Sequence, residues 1–278
     1  MTDRADDLQH PLNTELADLR LRLDNLLDDR DYLLRLLDSI DWDAQLDAIR
    51  SILAMNRSES ARISANIAAL GERAASYSGP YQDHVVDEHV DAIWHSSYSD
   101  AAVSLSAIGM IVPMVESVFS QSFQSLGSMY AAKHMEPPDH RRWKRAGEHA
   151  ERWNCQWYFG RGEPRHDIIS GLPQICEATG LSSYLEPDIM DWLAAMLSYR
   201  NRMFHGGFEW SLGQRDQFDI LIATKKWENY FQSARTNDKP WIFYLRDEVI
   251  NDMPRRMELI LDGFGRFAKD LPFELVSN

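Results

Sequence analysis

From Leu16 the apolar residues recur at alternating steps of three and four, at Leu16, Leu19, Leu23 and Leu26, then Leu33, Leu37 and Ile40, with Arg30 as a polar interruption of the seam. This spacing predicts a helix with a narrow apolar stripe of coiled-coil type. Asp41-Trp42-Asp43 interrupts it, after which Leu46, Ile49, Leu53, Ile63, Ile67 and Leu70 resume a helical period until Ser78-Gly79-Pro80 stops it. The expectation is an N-terminal helical hairpin or coiled coil over residues 12–76, inside a first domain 1–79. One stripe leaves open whether it pairs within the chain, across a dimer or with another protein.

Beyond Pro80 the pattern stays helical. It predicts a segment around 82–95, a long apolar helix around 100–131 bent at Pro113, and a charged helix around 139–158 set off by Pro137-Pro138. Residues 160–186, rich in Gly and Pro, read as a loop carrying a short helix near 167–178, and further helices are predicted at 187–205, 213–234 and 241–269. The period-two alternation of a half-buried strand is not found. The fold class expected is all-α, an N-terminal hairpin followed by a helical bundle over 80–278.

Composition narrows the functions open to such a bundle. The chain has 278 residues, 44% of them hydrophobic, and a formal net charge of -14, so it does not coat nucleic acid through general positive charge. Any nucleic-acid contact must be local. Cys155 and Cys176 are its two cysteines, too few for a four-cysteine zinc site or a disulfide framework. Asp3, Arg4, Asp6 and Asp7 rule against a secretory leader of the usual kind, and the apolar run Ala101–Val115, broken by Ser104, Ser106 and Pro113, is shorter than a bilayer span of about 20 residues. A cytoplasmic protein without a membrane anchor is expected.

Chemistry concentrates between Pro187 and Gly206-Gly207. Ile189, Trp192, Leu193, Met196, Leu197, Tyr199 and Met203 trace an amphipathic helix that begins with acidic residues and is closed by glycine. His205 falls in its last turn, where the carbonyl ends of the helix favour a charged imidazole by about 0.3–1 kcal/mol. Asn201 lies one turn earlier on the same face, whereas Arg200 is about 140° away by simple winding and reaches round only through its long side chain. A guanidinium to hold an anion, an amide to orient and an imidazole to move protons suit phosphodiester cleavage.

The stretch Arg200-Asn201-Arg202-Met203-Phe204-His205 resembles the Arg-polar-x-x-x-His signature of the HEPN domain family, small helical bundles found in many RNases of toxin–antitoxin, phage-defence and RNA-processing systems. The specific part of the resemblance is six residues long, within a helical pattern over residues 98–270. It implies metal-independent RNA cleavage with the 2′-hydroxyl as nucleophile and a cyclic phosphate product, at a composite site where two motif helices meet in a homodimer. It implies no cofactor, and it allows an antitoxin or regulatory protein as partner. Family members often carry an acidic residue on an earlier apolar helix, and Glu116, the one charge in Ala101–Val118, is the matching candidate for a site of Arg200, Asn201, His205 and Glu116. The competing reading is structural: Arg200 paired to an acidic neighbour, His205 capping its helix and Glu116 at a solvated edge. A non-catalytic bundle that binds RNA, nucleotide or a protein partner is the functional alternative.

The dense basic stretch Arg141-Arg142-Trp143-Lys144-Arg145 is the candidate RNA track, with Trp143 able to stack a base; the alternative is a solvated helix face. His84, Asp87, Glu88, His89, Asp91 and His95 lack the three- or four-residue histidine spacing that puts ligands on one helix face, so no metal site is expected. Gly160-Arg161-Gly162 lacks the strand and lysine of a P-loop, and no serine or cysteine sits in a nucleophile elbow.

Overall fold

The computed structural model describes residues 27–37 and 41–276. In chain order the elements are α1 (Trp42–Ser76), α2 (Gln82–Ala132), α3 (Arg141–Ala146), β1 (Trp157–Tyr158), β2 (Arg165–His166), α4 (Ile168–Thr179), α5 (Ile189–Gly206), α6 (Leu212–Lys225), β3 (Phe231–Thr236), β4 (Lys239–Leu245), α7 (Asp247–Lys269) and α8 (Phe273–Val276), with 3₁₀ turns at Asp31–Arg35 and Leu181–Tyr184. The protein is mostly helical, in line with the periodicity, with two small antiparallel sheets. It divides into two compact units, one of residues 41–117 and 187–258, the other of the described parts of 1–40, 118–186 and 259–278. Both α2 and α7 contribute to each unit, and the turn at 77–81 lies inside the first.

In the first unit α1 opens on Asp41, whose carboxylate accepts from the Ala44 amide at 2.9 Å. A helical hairpin forms, but its partner arm is the start of α2. Asn56 donates to the Ser106 hydroxyl, Arg73 pairs with Glu88 at 3.3 Å, and the His89 ring lies over Gly71, a pairing in which one chain number falls as the other rises. The expected first arm is corrected where it can be seen. Residues 12–26 lie outside the described residues, and 31–35 form a 3₁₀ turn that buries Tyr32 and Leu33 in the second unit. There Arg30, the polar residue of the seam, pairs with Asp262 at 2.7 Å.

The two predicted segments 82–95 and 100–131 are one 51-residue helix. Residues 96–99, between the two predicted segments, hold serines that can compete for backbone groups, yet inside the helix that competition is harmless. Ser96 and Ser99 donate to the carbonyls of Ile93 and His95, one turn back. By length and composition α2 holds an 18-residue stretch apolar enough to cross a bilayer; half of that stretch is buried inside the protein.

The expectation of no strands is also corrected. Asn237 and Asp238 both take left-handed backbone, φ 50° and 62°, the geometry of a two-residue type I′ hairpin turn. Thr236 therefore pairs with Lys239, and β3 and β4 replace the end of one predicted helix and the start of the next. The register skips Trp241, whose ring lies 4.7 Å from that of Trp94. Behind the hairpin, Tyr199, Trp210, Phe218, Phe231 and Phe243 form an aromatic core, with Trp210 stacked on Phe243 at 5.4 Å. Ser104, fully buried, accepts from the Leu245 amide at 2.9 Å and so ties α2 to β4.

In the second unit the predicted charged helix 139–158 ends at Ala146, because Gly147 turns with φ 50° and the chain continues in tight turns. Those turns leave carbonyls without helical donors. Arg142, wholly buried, supplies them: Nε donates to Arg152 O at 3.1 Å, Nη1 to Trp157 O at 2.8 Å and to Gln174 Oε1 at 2.9 Å, and Nη2 to Asn154 O at 2.8 Å. Burial pulls its guanidinium down to about 10, which still leaves it charged at neutral pH. Gly171 lets α4 approach these turns, since a Cβ there would stand 2.5 Å from the Cys155 carbonyl. Arg142→Ala is expected to destabilise the protein by about 3 kcal/mol or more, since it strands several buried acceptors. A urea unfolding midpoint measures it, and a loss under about 1 kcal/mol would mean the turns hold without the guanidinium.

Candidate functional site

The site lies on the last turns of α5. Trp192, Met196, Tyr199 and Met203 are buried along the inner face of this helix. The Tyr199 hydroxyl donates to the Phe243 carbonyl at 2.7 Å, and burial pushes its phenol well up. With that face fixed, winding at about 100° per residue places Arg200, Phe204, Asn201 and His205 in succession across the opposite side. The end of the helix is fixed as well. Gly207, at φ 68°, donates its amide to Met203 O at 2.9 Å, and the indole of Trp210 donates to Gly207 O at 2.9 Å. Arg215 in turn donates to Trp210 O, and Tyr98 donates to the Glu209 carboxylate.

Three of the four predicted residues come together. Arg200 Nη2 lies 3.5 Å from Glu116 Oε2, its Nη1 donates to Asn201 Oδ1 at 3.2 Å, and its guanidinium carbon stands 5.4 Å above the centre of the Phe204 ring. The Arg200 Nε is buried without a partner among the described residues. Glu116 is not at a solvated edge. Its side chain is 20% exposed, and burial raises its carboxyl while Arg200 opposes that rise. His205 is exposed and makes no hydrogen bond or ion pair among the described residues, so it does not cap its helix; the Gly207 amide does. Within one chain, no contact joins the imidazole to Arg200.

The basic stretch divides. Arg142 is corrected from RNA contact to scaffold, for the reason given above. Trp143 is corrected with it, because its indole donates to Ala178 O at 3.2 Å and its ring packs on Trp153 at 4.5 Å. Arg141, Lys144 and Arg145 remain exposed, Arg141 3.9 Å from Glu177 and Lys144 2.7 Å from Asp139. Neighbouring carboxylates therefore cancel part of the expected positive patch. Among the described residues no three His, Cys, Asp or Glu side chains converge to hold a metal.

Phe204, 58% exposed between Arg200 and His205, is a further residue of the site that the motif spacing does not single out. Its signal was a large apolar residue on the polar side of the helix. A cleft lined by Arg50, Arg57 and Arg255 was also missed, because Arg255 lies some 200 positions from the other two and the three form no run. No family model, curated protein or solved structure matches the chain.

The raised Glu116 carboxyl makes a signed prediction. Between the ordinary glutamate pKa of about 4.3 and the raised value in the folded protein, the native state holds a proton that the unfolded chain has lost. Stability therefore falls as pH rises through that window, and the loss is complete above it. Glu116→Gln removes the slope. Unfolding curves from pH 4 to 7 should show the variant gaining on the parent as pH rises, and parallel curves would mean that burial does not disfavour the Glu116 carboxylate.

Proposed function

We propose that this chain cleaves RNA without a metal ion at the end of α5, as an endoribonuclease of HEPN type acting as a homodimer through the motif helix. The observation that carries this reading is the exposed, unbonded imidazole of His205 on the same helix end as the Arg200–Asn201–Glu116 network. A histidine with nothing to cap and no carboxylate partner leaves both ring nitrogens open to a substrate. The reaction needs an anion site and proton carriers. The 2′-oxygen attacks the adjacent phosphorus as its proton leaves, the bond to the 5′-oxygen breaks, and that oxygen takes a proton. Arg200 holds the phosphate oxygens, Asn201 orients the guanidinium, Glu116 positions it from α2, and His205 moves the protons. A second copy across the motif helix would supply a second imidazole, so that one removes a proton while the other donates. An antitoxin or other regulatory protein that covers α5 would silence such an enzyme.

An interaction role is the second reading, favoured by Val86, Val90, Ile93 and Trp94, which stay 40–48% exposed along one face of α2.

The test is incubation of purified protein and a His205→Ala variant with mixed RNA in EDTA. The parent should produce fragments ending in cyclic phosphate, and the variant should be slower by about 10²-fold or more. A parent that leaves RNA intact across pH 5–9, or a variant that cuts equally well, would remove the enzyme reading.

A further inference from the structure

We infer that the cleft between α1 and the first half of α7 is a phosphate-binding site for single-stranded RNA, separate from the motif; as a statement about substrate it rests on the ribonuclease reading. Three arginines, Arg50, Arg57 and Arg255, line it together with Asn251 and the apolar residues Leu53 and Pro254. The cleft is an open one of about 460 Å³, room for one nucleoside phosphate. In a chain of net charge -14 any such site acts through guanidinium donors at close range and not through a general positive field.

The arginines are not equally committed. Arg50 is held by Asp47 at 2.9 Å and by Glu258, and Arg255 by Asp252 at 3.2 Å. Each retains donors, since a guanidinium carries five N–H groups. Arg57 has no hydrogen bond or ion pair among the described residues, and the sequence explains why. Its helical neighbours three and four positions away are Leu53, Ala54, Ser60 and Ala61, and the carboxylate nearest in sequence, Glu59, is taken by Arg62 at 2.5 Å. Arg50 and Arg57 stand seven apart, two turns along one face of α1. The arrangement is one open guanidinium in the same cleft as two that carboxylates hold in place. It suits an oxyanion that Arg57 binds directly and the other two touch through their remaining donors. The cleft thus takes over the part that the predicted basic stretch loses with Arg142 buried and Trp143 packed.

The experiment uses the full-length protein carrying His205→Ala, so that any cutting is suppressed, with a fluorescent single-stranded RNA of twelve nucleotides in EDTA and anisotropy as readout. Arg57→Glu should weaken binding by about tenfold or more and lower the slope of log Kd against log salt by about 0.7, the loss of one phosphate contact, whereas Arg57→Lys should keep most of the affinity. Competition by adenosine monophosphate distinguishes the source of the phosphate. Displacement of RNA by the nucleotide at comparable concentration, lost in Arg57→Glu, assigns the cleft to free nucleotides, and failure to compete assigns it to the RNA backbone. Unchanged affinity and salt slope in an Arg57→Glu protein that melts at the parental temperature overturns the site. The two readings fail separately: Arg57-dependent binding in a parent that cannot cut RNA retains the cleft and ends the nuclease, and cutting without Arg57-dependent binding does the reverse.

Discussion

The hydrogen bond from the Tyr199 hydroxyl to the Phe243 carbonyl is the constraint on which the motif helix depends. It joins α5 to the β-hairpin inside an aromatic core, where leaving either group unsatisfied would cost about 1–3 kcal/mol. Because Tyr199 immediately precedes Arg200, fixing one side chain inward fixes the next two outward. The Arg200 ion pair with Glu116 follows from that azimuth. Ser104 does the matching work from the other side, since its hydroxyl anchors β4 to α2, the helix that carries Glu116 one face and three turns further on.

Helix content was legible in the sequence wherever an apolar stripe ran long enough. The short helix expected at 167–178 stands at Ile168–Thr179, and the motif helix ends at glycine as its composition required. Misreadings arose where one local signal had two physical meanings. Serines 96 and 99 fell in the gap between two predicted segments and bond back into a single helix. Asn237-Asp238 fell in the gap between two predicted helices and is a hairpin turn whose left-handed geometry asparagine and aspartate tolerate. The stretch 147–156 has helical composition, but Gly147 stops α3 and a buried arginine then satisfies the carbonyls that a helix would have paired internally.

The site was legible in a similar, partial way. Spacing put Asn201 under His205, and the lone charge on an apolar helix pointed to Glu116, which does meet Arg200. What spacing could not supply was exposure. Arg141 to Arg145 form one run, yet α3 turns Arg142 to the interior and leaves Arg141 outside within a single step of the helix. The same limit hid the arginine cleft, whose members meet only after α1 and α7 pack.

The 51 residues of α2 include six carboxylates and no lysine or arginine. Such a helix has no charged rungs of its own along its length, the pairs that each lend an exposed helix about 0.2–0.5 kcal/mol, so its cohesion comes from whatever covers it. Toward its middle Ala107, Ile108 and Ile111 are sealed from solvent; over its first turns Val86, Val90 and Ile93 stand open. One continuous rod is thus firm at its centre and loose at its leading end, and its backbone amides should surrender their protons to water in that order, from the end inward.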